Sequence, residues 1–194
     1  MSNTTASDNN SKQLVISAIG SDRPGIVNEL SQIIVQNGGN IDDSRMTILG
    51  GEFAIILQIS AAASDLDNIE QALKQQSAAL ELNILTKQTS ESTSPEKLVP
   101  YIVEVLAMDN PGIVYKLADF FSSRKINIQS MQTDRYPAPH TGTLMFAIEM
   151  VIAVPQTIII NDLREDFLDL CEDMNMDASI EAPRLWAIHS SQNT

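Results

Sequence analysis

The chain has 194 residues, 43% of them hydrophobic, which suits a globular protein and leaves no apolar run long enough to span a membrane. Its 12 Lys and Arg residues face 25 Asp and Glu residues, and the net charge of −13 argues against direct binding of DNA or RNA, which requires neutralisation of phosphates. The single cysteine, Cys171, excludes an internal disulfide and favours a reducing, cytoplasmic compartment.

Residues 1–12 are polar and lack the basic start and apolar centre of a signal peptide. They are expected to form a disordered arm. Residues 13–19 are rich in branched apolar side chains and predict a strand. Pro24 is expected to open a helix, since proline lacks the N–H that is unpaired there. That helix carries an apolar stripe and ends at Gly38 and Gly39; the stripe comprises Ile26, Val27, Leu30, Ile33 and Ile34.

Residues 40–48 and 53–60 predict two strands joined by a turn at Gly50 and Gly51. Ser64 and Asp65 are expected to cap a second helix, and residues 82–86 predict a fourth strand. Residues 88–97 lack apolar groups and contain a proline, which is typical of a linker.

The second half of the chain repeats the first. Asp-x-Pro-Gly-Ile-Val at residues 22–27 returns at residues 109–114, and Asn40-Ile41 returns as Asn127-Ile128, each 87 residues later. A repeat of this length predicts two copies of one domain, at residues 13–87 and 98–183, followed by a tail at 184–194. About six extra residues fall in the turn-rich stretch 135–142, where an insertion costs little.

The order β-α-β-β-α-β in each copy predicts an α+β fold, a ferredoxin-like sandwich with two helices on one face of a four-stranded antiparallel sheet. In the second copy the last helix is expected at residues 161–174, with Leu163, Phe167, Leu170 and Met174 inward.

Little in the sequence indicates catalysis. The two histidines, His140 and His189, lie in predicted loops or tails, and no metal-ligand spacing or phosphate-binding loop occurs. Cys171 lies in a helical pattern and is expected to be a packing residue. We therefore expect no catalytic residues, no metal and no cofactor. An active site near residues 136–140 remains an alternative, as does a structural adaptor that binds no small molecule.

The repeated Pro-Gly turns are the positive signal. A helix N-terminus offers free N–H groups and the positive end of a dipole to a carboxylate, and glycine lets a ligand approach the backbone. Asp22 and Asp109 can pair with an ammonium group, so the combination suits an amino acid. The alternative is that Pro-Gly merely starts a helix that the aspartate caps. Likewise Asn40 and Asn127 are either polar ligand contacts or residues that tolerate a left-handed turn.

With these motifs in this topology, each half resembles an ACT domain, a small regulatory module that binds amino acids. The resemblance implies ligand-binding loops and a facing strand start in each copy. The residues are Asp22, Arg23, Pro24, Gly25, Ile26, Asn40 and Ile41 in the first copy, and Asp109, Asn110, Pro111, Gly112, Ile113, Asn127 and Ile128 in the second.

The tandem architecture further implies a non-enzymatic, amino-acid-sensing transcriptional regulator, a repressor of the glycine cleavage operon. It would bind a DNA-binding activator protein rather than nucleic acid or membrane, with glycine as the preferred ligand and a homodimer as one expected assembly. The alternative is an ACT-type regulatory subunit of an amino-acid biosynthetic enzyme.

The two copies differ beside their loops. Arg23 becomes Asn110 and Asn28 becomes Tyr115, whose ring is expected to fill one pocket, while residues 136–141 are expected to cover another. Gly25→Val and Gly112→Val are expected to block a ligand and spare the fold. The last helix carries an acidic side that is either a solvated face or a docking surface for a basic partner. This acidic face consists of Asp162, Glu165, Asp166, Asp169, Glu172 and Asp173.

Overall fold

A computed structural model describes residues 11–90 and 97–183, which form two compact units. The predicted arm and tail lie outside the described residues, apart from Ser11 and Lys12, and so does the centre of the predicted linker. The first unit comprises residues 11–90 and the second unit residues 97–183.

The first unit has four strands and two helices in the predicted order. Its elements are β1 (Ser11–Ser21), α1 (Ile26–Gln36), β2 (Asn40–Leu49), β3 (Glu52–Ala62), α2 (Ala63–Leu80) and β4 (Leu82–Thr89). The sheet order is β2-β3-β1-β4, and every neighbouring pair is antiparallel. Strand β4 continues through Gln88 and Thr89, which were expected to belong to the linker.

The second unit repeats this architecture. Its elements are β5 (Leu98–Met108), α3 (Ile113–Ser123), β6 (Asn127–Pro137), β7 (Leu144–Pro155), α4 (Ile160–Asp173) and β8 (Asp177–Glu181). The sheet order is β6-β7-β5-β8, again antiparallel throughout. The predicted α+β fold, with two β-α-β-β-α-β units, is confirmed.

Alternation along the strands explains why the helices pack on one face of each sheet. In β3, the side chains of Phe53, Ile55, Leu57 and Ile59 are buried, as the period of two predicts. The core of the second unit centres on three aromatic rings, since Phe120, Phe121 and Phe167 have ring centroids 5.2 to 5.3 Å apart.

The predicted buried stripes of α1 and α3 are confirmed except for one valine in the first turn of each helix. Ile26, Leu30, Ile33 and Ile34 are buried, whereas Val27 is exposed, and its counterpart Val114 in α3 is exposed too. In α4, Leu163 and Phe167 are buried and Cys171 completes the stripe, while Leu170 and Met174 pack at its margin.

The predicted helix starts are wrong at two places. Helix α1 begins at Ile26, because Pro24 and Gly25 form a preceding turn. Helix α2 begins at Ala63 without a side-chain cap, so Ser64 and Asp65 lie inside its first turn. Within residues 11–90 and 97–183, no helix is long and apolar enough to cross a membrane.

Candidate functional site

The two Pro-Gly loops, residues 22–26 and 109–113, share one backbone conformation. Gly25 has φ 97° and Gly112 has φ 91°, each directly before a helix. Side chains rarely adopt this left-handed conformation, so glycine is required by the turn itself. The expectation that Gly25→Val and Gly112→Val spare the fold is therefore wrong, because valine would strain the backbone at both positions.

Both loops are attached to the neighbouring hairpin by the same hydrogen bond. The Asp22 N–H donates to the Gly51 carbonyl at 3.1 Å, and the Asp109 N–H donates to the Leu144 carbonyl at 2.9 Å. The insertion in the second unit thus lies beyond the hairpin end without altering the loop. This equivalence explains why the motif repeats so closely in sequence.

The helix N-termini beside the loops keep free donors. In the described part of the chain no side chain caps α1 or α3, so the reading in which Asp22 and Asp109 merely cap the helices is wrong. The first N–H groups of each helix remain without an intrahelical partner. They are directed at the loop, where a carboxylate would be stabilised by the helix dipole.

A cavity of about 290 Å³, called here the hairpin cavity, borders the first loop. It lies between the loop, the start of α1 and the β2–β3 hairpin. Its lining residues are Asp22, Arg23, Gly25, Ile26, Val27, Asn28, Met46 and Phe53. Four of the eight lining residues were predicted from the sequence as ligand contacts, whereas Val27, Asn28, Met46 and Phe53 were not. Asn28 follows the loop by less than one helical turn, which is the signal that could have revealed it.

Arg23, which also lines the hairpin cavity, forms an ion pair with Glu29 in α1. The Arg23 guanidinium donates to the Glu29 carboxylate through Nη1 at 2.6 Å and Nη2 at 2.7 Å, and Nη2 also lies 3.5 Å from the Leu80 carbonyl. This bidentate hydrogen bonding lowers the pKa of Glu29 and raises the pKa of Arg23. Arg23 is therefore engaged within its own unit.

The second loop has different neighbours. Arg135, at the start of the insertion, lies 3.4 Å from the carboxylate of Asp109 through its Nη1. The side chain of Tyr115 is 72% exposed, so the expectation that it fills a pocket is wrong. Residues 136, 137, 139 and 140, considered as an active site, are exposed, and His140 lies among them.

The strand starts lie away from the loops of their own units. Asn40 pairs with Ser60, which pairs with Gln13, whereas the loop follows Ser21 at the other end of β1. At a rise of about 3.3 Å per residue, the separation along the strand is roughly 26 Å. The structure therefore does not bring Asn40 and the first loop together within one unit. In the second unit, Asn127 has the same position at the start of β6.

Three of the four residues at these strand starts have local contacts. The Asn40 amide donates to the Asp42 carboxylate at 2.9 Å, and neither Asn40 nor Asn127 has a positive φ, so the left-handed-turn reading is wrong. Ile41 and Ile128 pack against the cores of their units. An irregularity in the strand follows each of them.

Two further groups of residues have defined places. Cys171 is buried, and this burial raises the pKa of its thiol to about 11, as expected for a packing residue. All six residues of the acidic face of α4 are exposed, with Asp166 accepting a hydrogen bond from Arg124 at 3.0 Å. In the described ranges no group of three or more His, Cys, Asp or Glu could hold a metal ion.

Comparisons with known proteins agree with this architecture. The ACT domain family model matches residues 12–87. The glycine cleavage system transcriptional repressor of Escherichia coli K12 is 30% identical over 167 residues, which cover 86% of this chain and 88% of that protein. A UPF0237 protein of Methanococcus maripaludis is 38% identical over 65 residues, covering 32% of this chain and 72% of that protein.

Two solved structures are similar to most of the chain. A protein from Galdieria sulphuraria has a TM-score of 0.78 and 30% identity, covering 90% of this chain and 99% of that chain. A structure assigned as a glycine cleavage system transcriptional repressor has a TM-score of 0.66 and 29% identity, covering 88% and 96%. The chain belongs to the family of two-ACT-domain proteins that includes the glycine cleavage system transcriptional repressor.

Proposed function

We propose that this protein is a non-enzymatic, cytoplasmic regulator that senses a small amino acid, glycine by preference. It represses the glycine cleavage operon by binding a DNA-binding activator protein. The observation that carries the proposal is the hairpin cavity beside the first loop, in a chain related to a transcriptional repressor over most of its length. The net charge of −13 supports action through a protein partner, since such a chain would be repelled by nucleic acid.

The chemistry of the hairpin cavity suits a zwitterion. The ligand carboxylate would accept hydrogen bonds from the free N–H groups at the start of α1, and its ammonium group would pair with the exposed carboxylate of Asp22. Gly25 lies directly before the helix and has no side chain, so it leaves room for the ligand beside the backbone. Met46 and Phe53 limit the space, which favours a small amino acid.

Sensing requires that the ligand favours one conformation over another. A ligand that binds two conformations equally shifts neither, however tightly it binds. The hydrogen bond from the Asp22 N–H to Gly51 joins the loop to the β2–β3 hairpin, so a loop conformation selected by the ligand would be transmitted to that hairpin.

Calorimetric titration with glycine, L-serine, L-alanine and L-leucine tests the sensing step. We expect binding that favours glycine and that Asp22→Asn weakens at least about tenfold, because the neutral amide loses a charge-assisted hydrogen bond. Asp67→Asn, which removes the same charge from an exposed position in α2, is the matched control and should bind like the wild type. Equal affinity of Asp22→Asn and wild type for glycine would refute the hairpin cavity as the site.

A further inference from the structure

The open face of the second sheet, which is the face opposite the helices, carries a cavity of about 440 Å³, called here the sheet cavity. Val103, Val105 and Ile148 are buried in the core, so the residues that alternate with them along β5 and β7 lie on the open face. The cavity crosses all four strands. The residues that matter for its chemistry are Glu104, Leu106, Asp134, Ala147, Glu149 and Asp177.

The charges in the sheet cavity have one sign. Glu104 and Glu149 lie directly opposite each other on the two central strands, and like charges in that position destabilise a sheet. Asp134 on β6 and Asp177 on β8 line the same cavity. None of the ion pairs within residues 11–90 and 97–183 involves these four carboxylates, and no Lys, Arg or His lines the cavity. The described part of the chain therefore supplies no compensating positive charge.

The corresponding positions of the first unit are uncharged. The residues at the places of Glu104 and Glu149 are Ser17 and Ile56, which lie opposite each other in the same register. The fold therefore does not require carboxylates at this point of the sheet. The like-charge pair is a local cost that the second unit retains, and a local cost of this kind points to a role other than folding.

The segment that follows β8 has the complementary chemistry. Residues 184–189 are Arg-Leu-Trp-Ala-Ile-His, with four apolar side chains between an arginine and a histidine, and Trp186 is the single tryptophan of the chain. Residues 90–96, which follow the last strand of the first unit, contain no basic and no aromatic residue. The carboxylates of the open face and a segment that complements them in charge thus occur together in the second unit.

The chain leaves the sheet within reach of the cavity. Pro183 is the last described residue, and Ser179 of β8, which lines the cavity, precedes it by four residues. At a rise of about 3.3 Å per residue that separation is about 13 Å, and residues 184–188 can span about 17 Å. Because β8 is an edge strand beside β5, the segment can fold back over the open face.

We propose that residues 184–189 dock on the open face of the second sheet, with the indole ring of Trp186 in the sheet cavity. The ring packs on the apolar side chains of the cavity, and its N–H donates to the paired carboxylates of Glu104 and Glu149. Arg184 supplies the positive charge that the face lacks. This contact is separate from the hairpin cavity and does not depend on the proposed function.

The fluorescence of Trp186 in the full-length protein tests this contact, since no other tryptophan contributes. We expect an emission maximum at a shorter wavelength, and slower quenching by acrylamide, than in a synthetic peptide of residues 183–194. In ¹⁵N-labelled protein, Trp186→Ala should shift the backbone amides of Glu104, Leu106 and Ala147. Emission at the wavelength of the peptide, or unchanged amides at these three positions, would overturn the proposal.

Charge variants separate docking on this face from burial of Trp186 elsewhere. E104Q/E149Q removes the like-charge pair, so the fold should be at least as stable in urea, while the emission of Trp186 moves towards that of the peptide because Arg184 loses its attraction to the face. E165Q/D169N is the matched control, since it removes two carboxylates from the exposed acidic face of α4, and it should leave the emission unchanged. An emission maximum that E104Q/E149Q does not alter would overturn the proposal.

Discussion

At the scale of single residues, the charges of two side chains decide whether the space beside a loop is filled or forms a cavity. Arg23 and Glu29 face each other across the first loop, while Asn110 and Lys116 at the same positions leave a cavity. The change from Arg23 to Asn110 stood out within the repeated motif, whereas the change from Glu29 to Lys116 lies outside that motif. The pairing of Arg23 with a residue six positions later depends on the turn before α1, which the helix start predicted at Pro24 did not include.

The Arg23–Glu29 pair predicts a pH dependence of stability. Because Arg23 lowers the pKa of Glu29 in the folded protein, the pair contributes fully above the unfolded pKa of about 4.3 and is lost as the pH falls through the lower folded value. Glu29→Gln should lower the urea midpoint at neutral pH, and its difference from the wild type should shrink as the pH falls below the unfolded pKa of about 4.3. Glu70→Gln in α2 is the control, and a difference for Glu29→Gln that is constant with pH would contradict the account.

The burial of Cys171 predicts that its thiol reacts slowly with thiol reagents. Its buried thiol has a pKa of about 11, so the reactive thiolate is scarce at pH 8. The native protein should react with a thiol reagent roughly a hundredfold more slowly than the protein unfolded in urea, since an accessible cysteine has a pKa near 8.5. The reaction would then report unfolding of the second unit. Equal rates with and without urea would show that Cys171 is accessible.

At the scale of elements, apolar periodicity predicts which side chains are buried but does not predict where the helices begin. The apolar alternation of β3 and the stripe of α1 are confirmed because burial of a whole face is a strong constraint. The start of α1 was misplaced because a left-handed glycine precedes it, and the start of α2 was misplaced because that helix begins at Ala63 without a side-chain cap. Glycine permits this conformation without requiring it, so the residue type alone does not reveal it.

Packing of the α2–β4 turn on β1 predicts a sharp cost at Gly20. Gly20→Ala places a methyl group 2.3 Å from the Glu81 carbonyl oxygen and 2.9 Å from Leu82 Cδ2. We expect a loss of about 1–3 kcal/mol in the free energy of unfolding, measured by urea denaturation, because backbone must move. The reverse change in the second unit, Ala107→Gly, should cost only about 0.5–1 kcal/mol. An unchanged urea midpoint for Gly20→Ala would contradict the close packing of the α2–β4 turn on Gly20.

At the scale of the whole molecule, the internal repeat made the fold predictable and the sites only partly so. Two β-α-β-β-α-β units follow from a motif that returns 87 residues later, since both copies must meet the same packing requirements. The repeat also suggested equivalent pockets, but the hairpin cavity borders the first loop at the β2–β3 hairpin, whereas a cavity of about 260 Å³ beside the second loop is lined by the end of β5 and by Asp173, Met174 and Asn175 after α4. This difference arises from residues distant in sequence, such as Glu81 and Asn175, whose positions only the fold determines.

We propose that glycine controls the association of this protein with a DNA-binding activator. The most direct measurement is the affinity of the full chain for the purified activator of the glycine cleavage operon from the same organism, with and without glycine, by fluorescence anisotropy. We expect glycine to weaken the complex by roughly 5- to 150-fold, and the activator to weaken glycine binding by the same factor, because coupling between two sites is reciprocal. Asp22→Asn should reduce this effect. An affinity that glycine leaves unchanged, or direct binding of this chain to the operon DNA, would contradict the account.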